Sequence, residues 1–279
     1  MRMLTTLLTG LALIYGALLL AACGWQNRLV YFPQAASSDD PTPSALKIDY
    51  DDVWVPTADG ERLHGWFVPV SQPRATAVLF HGNAGNLSHR LPWLPMFRQL
   101  RWSALLFDYR GYGTSTGKPS EDGTYADAAA VWRYLTETRH VAADRIVLIG
   151  ESLGGAIAAH QATRAQPAAL VLHSAFTSVP DLAAELYPFL PARLLARFNY
   201  DTRRAVANTR CPVLVIHSRD DDIVPFSHGR RLFEAASEPK QFIELRGSHN
   251  GGFVFMRREW VTSLDAFLSP FIGPGYGEP

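Results

Sequence analysis

The stretch RIVLIGESLGGAIAAH, residues 145–160, starts as an apolar run and ends as a small-residue helix. Between the two stands Gly150-Glu151-Ser152-Leu153-Gly154. A sharp strand-to-helix turn forces its central residue into a strained backbone. Residues two before and two after must then be small, because strand and helix approach closely there. Gly150 and Gly154 meet that need, and Gly155 relaxes it further. Such a turn lifts the Ser152 hydroxyl above a sheet and aims free helix N–H groups at any developing anion. The pattern is the G-x-S-x-G nucleophile elbow, with the required strand before it and helix after it. A plain glycine-rich turn capped by serine is the simpler reading, and the strand–turn–helix context argues against it.

Outward from this corner the body alternates strands and helices. Short continuous apolar runs occur at TAVLF (76–80), SALLF (103–107), RIVLI (145–149), ALVLH (169–173), PVLVIH (212–217) and QFIEL (241–245). Strands buried on both faces read this way. LKIDYDDVWVP and RLHGWFVPV are expected to open the sheet as a pair turning at Asp59-Gly60. Tyr125, Ala128, Ala129, Trp132 and Leu135 recur at helical spacing, as do Leu232, Phe233 and Ala236. Leu264, Phe267 and Phe271 predict a closing helix. The fold class is therefore α/β: a mainly parallel central sheet with helices on both faces. Ligands of such sheets bind beyond the carboxyl ends of the strands, so the chemistry belongs to the loops that follow the apolar runs.

A serine hydroxyl needs a base. In this architecture the chain order is Ser, then Asp or Glu, then His. SRDDDIVPFSHG follows PVLVIH and carries three carboxylates; RGSHNGG follows QFIEL and carries one histidine. His249, flanked by glycines, is the expected base. Asp220, Asp221 and Asp222 are equivalent by spacing, two of them being expected in solvent or on turn N–H groups. Of the other histidines, His64, His89, His140 and His228 are expected at the surface or in loops. His160 falls in the elbow helix, and His173 and His217 at strand ends. An oxyanion would be held by the backbone N–H of Leu153 and by that of Asn83 in FHGNAGN, the loop after an early strand. No Gly-Lys-Ser/Thr follows that loop, which disfavours a phosphate site. Cys211, at the start of an apolar run, reads as a small buried hydrophobe.

FHGNAGN, FDYRGYGTSTG, GESLGG, HSRDDDIVPFSHG and GSHN, in this order between Leu46 and Ile272, resemble the α/β-hydrolase superfamily. The resemblance is to its serine-hydrolase subgroup of abhydrolase-domain protein depalmitoylases and their bacterial relatives. In that subgroup the acid lies four residues before the proline of D-x-[IV]-V-P, which selects Asp221. The resemblance implies an α/β-hydrolase fold, a Ser152–Asp221–His249 triad, and ester or thioester hydrolysis. It implies that Asp108 and Arg110 of FDYRGYG stabilise the oxyanion loop rather than react. An aspartate replaces the elbow serine in dehalogenases and epoxide hydrolases, so Ser152 argues against both. An aminopeptidase-like serine peptidase and a non-catalytic envelope protein of the same fold remain as alternatives.

Composition narrows the rest. The 279 residues carry 26 basic and 26 acidic side chains, giving no electrostatic case for nucleic acid. No metal or organic cofactor is expected, since no Cys/His cluster has ligand spacing. The N-terminus has Arg2, an uncharged apolar run from Leu4 to Ala22, and Leu20-Ala21-Ala22-Cys23. This is the layout of a secretory signal, residues 1–22. Its end resembles the lipobox of bacterial lipoproteins, whose cysteine is lipidated, here Cys23. Gly24 stands where the inner-membrane retention signal has aspartate, so the analogy favours a bacterial outer-membrane lipoprotein facing the periplasm. A retained transmembrane anchor is the alternative. Residues 23–45 read as a tether rich in Pro, Ser and Asp. The catalytic domain is expected over 46–275, with a small apolar lid at about 178–208. The expected partner is a small-molecule or lipid acyl ester at a membrane. Metabolic labelling with palmitate tests the lipoprotein reading: label is expected on the wild type and absent from Cys23→Ala, and label surviving that substitution contradicts it.

Overall fold

The computed structural model describes residues 2–251 and 258–272. Eight strands form one sheet: β1 (Asp51–Pro56), β2 (Arg62–Val68), β3 (Ala75–Phe80), β4 (Trp102–Phe107), β5 (Ile146–Glu151), β6 (Ala169–His173), β7 (Val213–Ser218) and β8 (Lys240–Leu245). Their spatial order is β8-β7-β6-β5-β3-β4-β2-β1. β1 pairs antiparallel with β2, and β2 antiparallel with β4. The remaining pairs are parallel. Each expected apolar run is a strand. Helices are α1 (Arg2–Gly24), α2 (Gln26–Val30), α3 (Trp93–Gln99), α4 (Glu121–Arg133), α5 (Leu153–Arg164), α6 (Val179–Leu186), α7 (Ala192–Leu195), α8 (Thr202–Ala207), α9 (Phe226–Ala235) and α10 (Arg258–Ile272).

The period-two geometry of a strand explains why these runs are apolar throughout. Val78, Phe80, Leu148, Leu170 and Val215 join one core with Val131 of α4, Ile157 of α5 and Leu232 of α9. Their neighbours Ala77, Leu79, Ile149, Val171 and Leu214 join a second core with Phe97 of α3 and Leu264 of α10. Every second residue thus faces a different helical layer, and neither face can be polar. Helix starts follow from local capping. Ser120 accepts the Gly123 N–H, and Glu121 and Asp122 occupy the positive first turn of α4.

Two expectations change. Residues 23–45 are not a plain tether. Tyr31 is buried, its hydroxyl 2.6 Å from that of Tyr200. Phe32–Pro33 pairs in parallel with Ala84–Gly85, and Gln34 exchanges backbone hydrogen bonds with Gly85 and Gly113. A backbone strap needs no apolar period, so composition alone does not reveal it. The covering segment is also shorter than 178–208. Val206 of α8 is fully buried in the first core, so α8 belongs to the body. α6 and α7, separated by a link containing Pro188 and Pro191, are the part that faces Ser152 across a shared cavity.

At the β5–α5 corner backbone meets backbone with no room for a side chain. Cβ atoms placed on Gly150 would stand 2.5 Å from the Gly154 carbonyl oxygen and the Gly155 Cα; one on Gly154 would meet the Phe80 carbonyl oxygen. Backbone on both sides cannot yield, so Gly154→Ala is expected to cost about 1–3 kcal/mol or more. Urea unfolding in detergent checks this, and an unchanged midpoint contradicts it.

Candidate active site

Ser152 sits at this corner with φ 52° and ψ −115°, a conformation that L-residues rarely adopt. The two flanking glycines permit the approach, and the Ser152 N–H donates to the His173 carbonyl at 2.9 Å, which fixes the bend. Ser152 is one of seven non-glycine residues at positive φ among the described residues, and it is the one expected to react. Leu153 opens α5, so its N–H has no intrahelical acceptor.

The acid and base loops meet as the chain order requires. His249 Nδ1 lies 2.8 and 3.0 Å from the two Asp221 carboxylate oxygens, and both side chains are buried. Asp221 also accepts the N–H groups of Ile223 and Val224 at 3.0 and 2.8 Å. Burial alone would raise its carboxyl. The His249 bond and these two donors outweigh burial and hold it below the ordinary carboxylate range. The neighbouring aspartates have other work. Asp222 accepts the His249 backbone N–H at 2.8 Å. Asp220, exposed, pairs with Arg246 at 3.1 Å. Three adjacent carboxylates that spacing leaves equivalent are thus divided between orienting the ring, placing its backbone and bracing the loop.

Asn83 lies in the loop after β3. A Cβ on its neighbour Gly82 would stand 3.7 Å from the Ser152 Cβ, so this loop abuts the elbow. Expected support from Arg110 is not found. Arg110 binds Asp127 and Asp59, tying α4 to the β1–β2 turn. The loop is held instead by its tyrosine neighbours: Tyr109 donates to the His81 carbonyl at 3.0 Å and Tyr112 to that of Asn83 at 2.8 Å. Phe32 N–H donates to the same Asn83 carbonyl, and Asn83 Nδ2 to that of Val30. The i, i+3 tyrosines of FDYRGYG carried this signal. Asp108 contributes through His81, whose Nε2 lies 3.6 Å from its carboxylate. Burial raises Asp108 to about 8, and burial with the nearby Arg90 charge lowers His81 to about 3. Both are therefore neutral at neutral pH.

His228 is not a surface residue. It is fully buried on the inner face of α9, four residues before Leu232, and its Nδ1 accepts from Thr177. His173 and His217 are buried, and neither lines the cavity described next. His217 Nε2 donates to the Val224 carbonyl at 2.9 Å, 3.5 Å from Asp221. Burial pushes the Cys211 thiol up to about 12, the opposite of an activated nucleophile. Among the described residues no cluster of three His, Cys, Asp or Glu could hold a metal ion.

Ser152, Leu153, Asn83 and His249 all line one cavity of about 450 Å³. Its roof is α6, which presents Val179, Leu182, Ala183 and Leu186, a single helical face at i, i+3, i+4 and i+7. Glu151 and Arg90, 3.5 Å apart, give it one polar edge. Apolar side chains thus make up most of the lining, with polar groups gathered at the elbow.

The α/β-hydrolase fold family matches residues 77–212. An uncharacterized protein of Mycobacterium tuberculosis is 41% identical over 263 residues, covering 92% of both chains. The alpha/beta hydrolase domain-containing protein WAV2 of Arabidopsis thaliana is 35% identical, covering 92% of this chain and 91% of its own. Among solved structures, the Pyrococcus furiosus esterase Pf2001 superposes with a TM-score of 0.73 at 22% identity, covering 88% of this chain and 98% of its own.

Asp108→Asn isolates the buried carboxyl. Unfolded, this group titrates near 4; folded, near 8. Between those values the native state retains a proton that the unfolded chain has lost, so stability falls as pH rises through the window and levels above about 8. Urea unfolding from pH 5 to 9 should show the variant gaining on the wild type by at most ~1.4 kcal/mol per pH unit up to about 8, then no further. A pH-independent difference contradicts the assignment.

Proposed function

The chain belongs to the α/β-hydrolase family, and from that premise we propose that it is a serine hydrolase cleaving carboxylic ester or thioester bonds of acyl substrates at a membrane surface. Ser152 Oγ attacks the acyl carbonyl while His249 Nε2 takes its proton. Asp221 keeps the opposite ring nitrogen protonated and stabilises the imidazolium that forms. The N–H groups of Leu153 and Asn83 hold the oxyanion. The imidazolium protonates the departing alcohol or thiol, and water, activated by the same ring, releases the acid and restores Ser152.

The observation that carries this reading is the convergence of a strained serine and an aspartate-bound histidine on one apolar chamber. An acyl chain suits that lining better than a peptide with its polar backbone. Membrane attachment is proposed through the Arg2–Ala21 stretch, long and apolar enough to cross a bilayer, or through lipid on Cys23 of a bacterial envelope protein.

A fluorophosphonate probe is expected to label the wild type and not Ser152→Ala. Ester turnover should fall by at least about 10³-fold in Ser152→Ala and His249→Ala. A folded wild type that neither takes the probe nor hydrolyses chromogenic acyl esters would leave the fold without this chemistry. Turnover of peptide but not ester substrates would favour the peptidase alternative.

A further inference from the structure

The wall of the acyl chamber opposite the sheet is not all lid. Gln26, Leu29, Val30 and Phe32 line it as well. These residues begin two positions after α1 ends at Gly24. Two extended residues span at most about 7 Å. If α1 is removed and Cys23 carries lipid, three residues span at most about 11 Å. The chain therefore leaves either form of anchor and enters the chamber wall without slack. The wall segment is itself rigidly held: Gln26 Nε2 donates to the Leu195 carbonyl, its Oε1 accepts the Arg197 N–H, and Phe32 is bonded to Asn83. An anchor on this short strap cannot sit far from the chamber mouth.

Beside the chamber-lining residues of strap and lid stand exposed large apolar side chains. Trp25, Phe189 and Leu194 are 63%, 62% and 87% exposed, and none of them lines the chamber. Trp25 belongs to the strap, Phe189 to the lid link and Leu194 to α7, so two pieces of chain far apart in sequence place large apolar side chains toward solvent. The Tyr15 hydroxyl donates to the Phe189 carbonyl at 3.0 Å. Tyr15 lies nine residues before Gly24, about 14 Å along the helix at 1.5 Å per residue. The lid tip is thus level with the body of α1 rather than with its end. Exposed Arg28 and Arg197 stand near the strap, where a headgroup layer accepts cations. Aromatic and aliphatic side chains of this kind bury about 5–10 Å into the headgroup–acyl boundary.

We propose that this rim docks the chamber mouth onto the leaflet that holds the N-terminal anchor, so that the acyl chain of the substrate passes from lipid into the chamber without crossing water. The proposal rests on the ester-hydrolase reading and assigns its substrate as a bilayer-resident acyl ester or thioester. The occupant of the rim is the bilayer, because the covalent anchor emerges beside it; a second copy of the chain has no such tie.

The test uses the full chain in phosphatidylcholine vesicles with two substrates, water-soluble 4-nitrophenyl butyrate and a fluorogenic palmitoyl ester dissolved in the bilayer. Phe189→Asp with Leu194→Asp should lower turnover of the vesicle-borne ester at least about tenfold and change butyrate turnover less than twofold. Trp25→Asp, in the strap, should do the same. Vesicle turnover that persists in both variants overturns the proposal, as does an equal loss on both substrates in both variants. So does a lid-mediated dimer in detergent that the aspartates dissolve while vesicle turnover stands. A wild type inactive on both esters removes the hydrolase reading first, and the docking proposal with it.

Discussion

One close approach organises this molecule: the Gly154 Cα packed against the carbonyl end of β3, where nothing larger than hydrogen fits. It brings α5 down onto the sheet at the moment β5 ends. The backbone has no relaxed way to make that turn, and Ser152 takes the positive φ. Two consequences follow from the same few atoms. The serine hydroxyl is carried above the strand ends, and the first N–H groups of α5 gather beneath it. The loop after β3 is drawn to the same corner, since Phe80 is both the residue in contact with Gly154 and the start of FHGNAGN.

The proposed acid–base pair depends on a second kind of constraint, the local cost of burying charge. A carboxylate removed from water needs donors, and Asp221 has three: the imidazole and two backbone N–H groups. Those backbone donors exist because Asp221 begins the turn that ends at Pro225, so the acid is satisfied before the histidine arrives. His249 is then fixed twice, through its ring by Asp221 and through its backbone by Asp222. The buried His81–Asp108 pair shows the opposite solution. It has fewer donors, and burial leaves both groups uncharged.

The legible part of the sequence was whatever long-range packing writes into local pattern. Strands sealed on both faces must be apolar at every position, and all six quoted runs became strands. The elbow was legible because steric exclusion leaves only glycine on each side of Ser152. Features that rest on backbone pairing or on one side chain's direction were not. Residues 31–36 bind the body mainly through N–H and C=O groups that every residue owns, so their composition suggested a tether. Arg110 and Tyr112 are two residues apart, and spacing could not say which turns toward the Asn83 loop. His228 was expected at the surface or in a loop, yet the helical period from Leu232 places it inward.

In the proposed chemistry Ser152, His249 and the N–H groups of Leu153 and Asn83 act on one carbonyl. A crystal structure of the protein after reaction with an alkyl phosphonate tests it most directly. Phosphorus is expected on Ser152 Oγ, its free oxygen about 2.7–3.1 Å from both backbone nitrogens, and the alkyl chain beneath α6. A phosphonyl oxygen turned away from Asn83 and Leu153, or an adduct on any other residue, would contradict it.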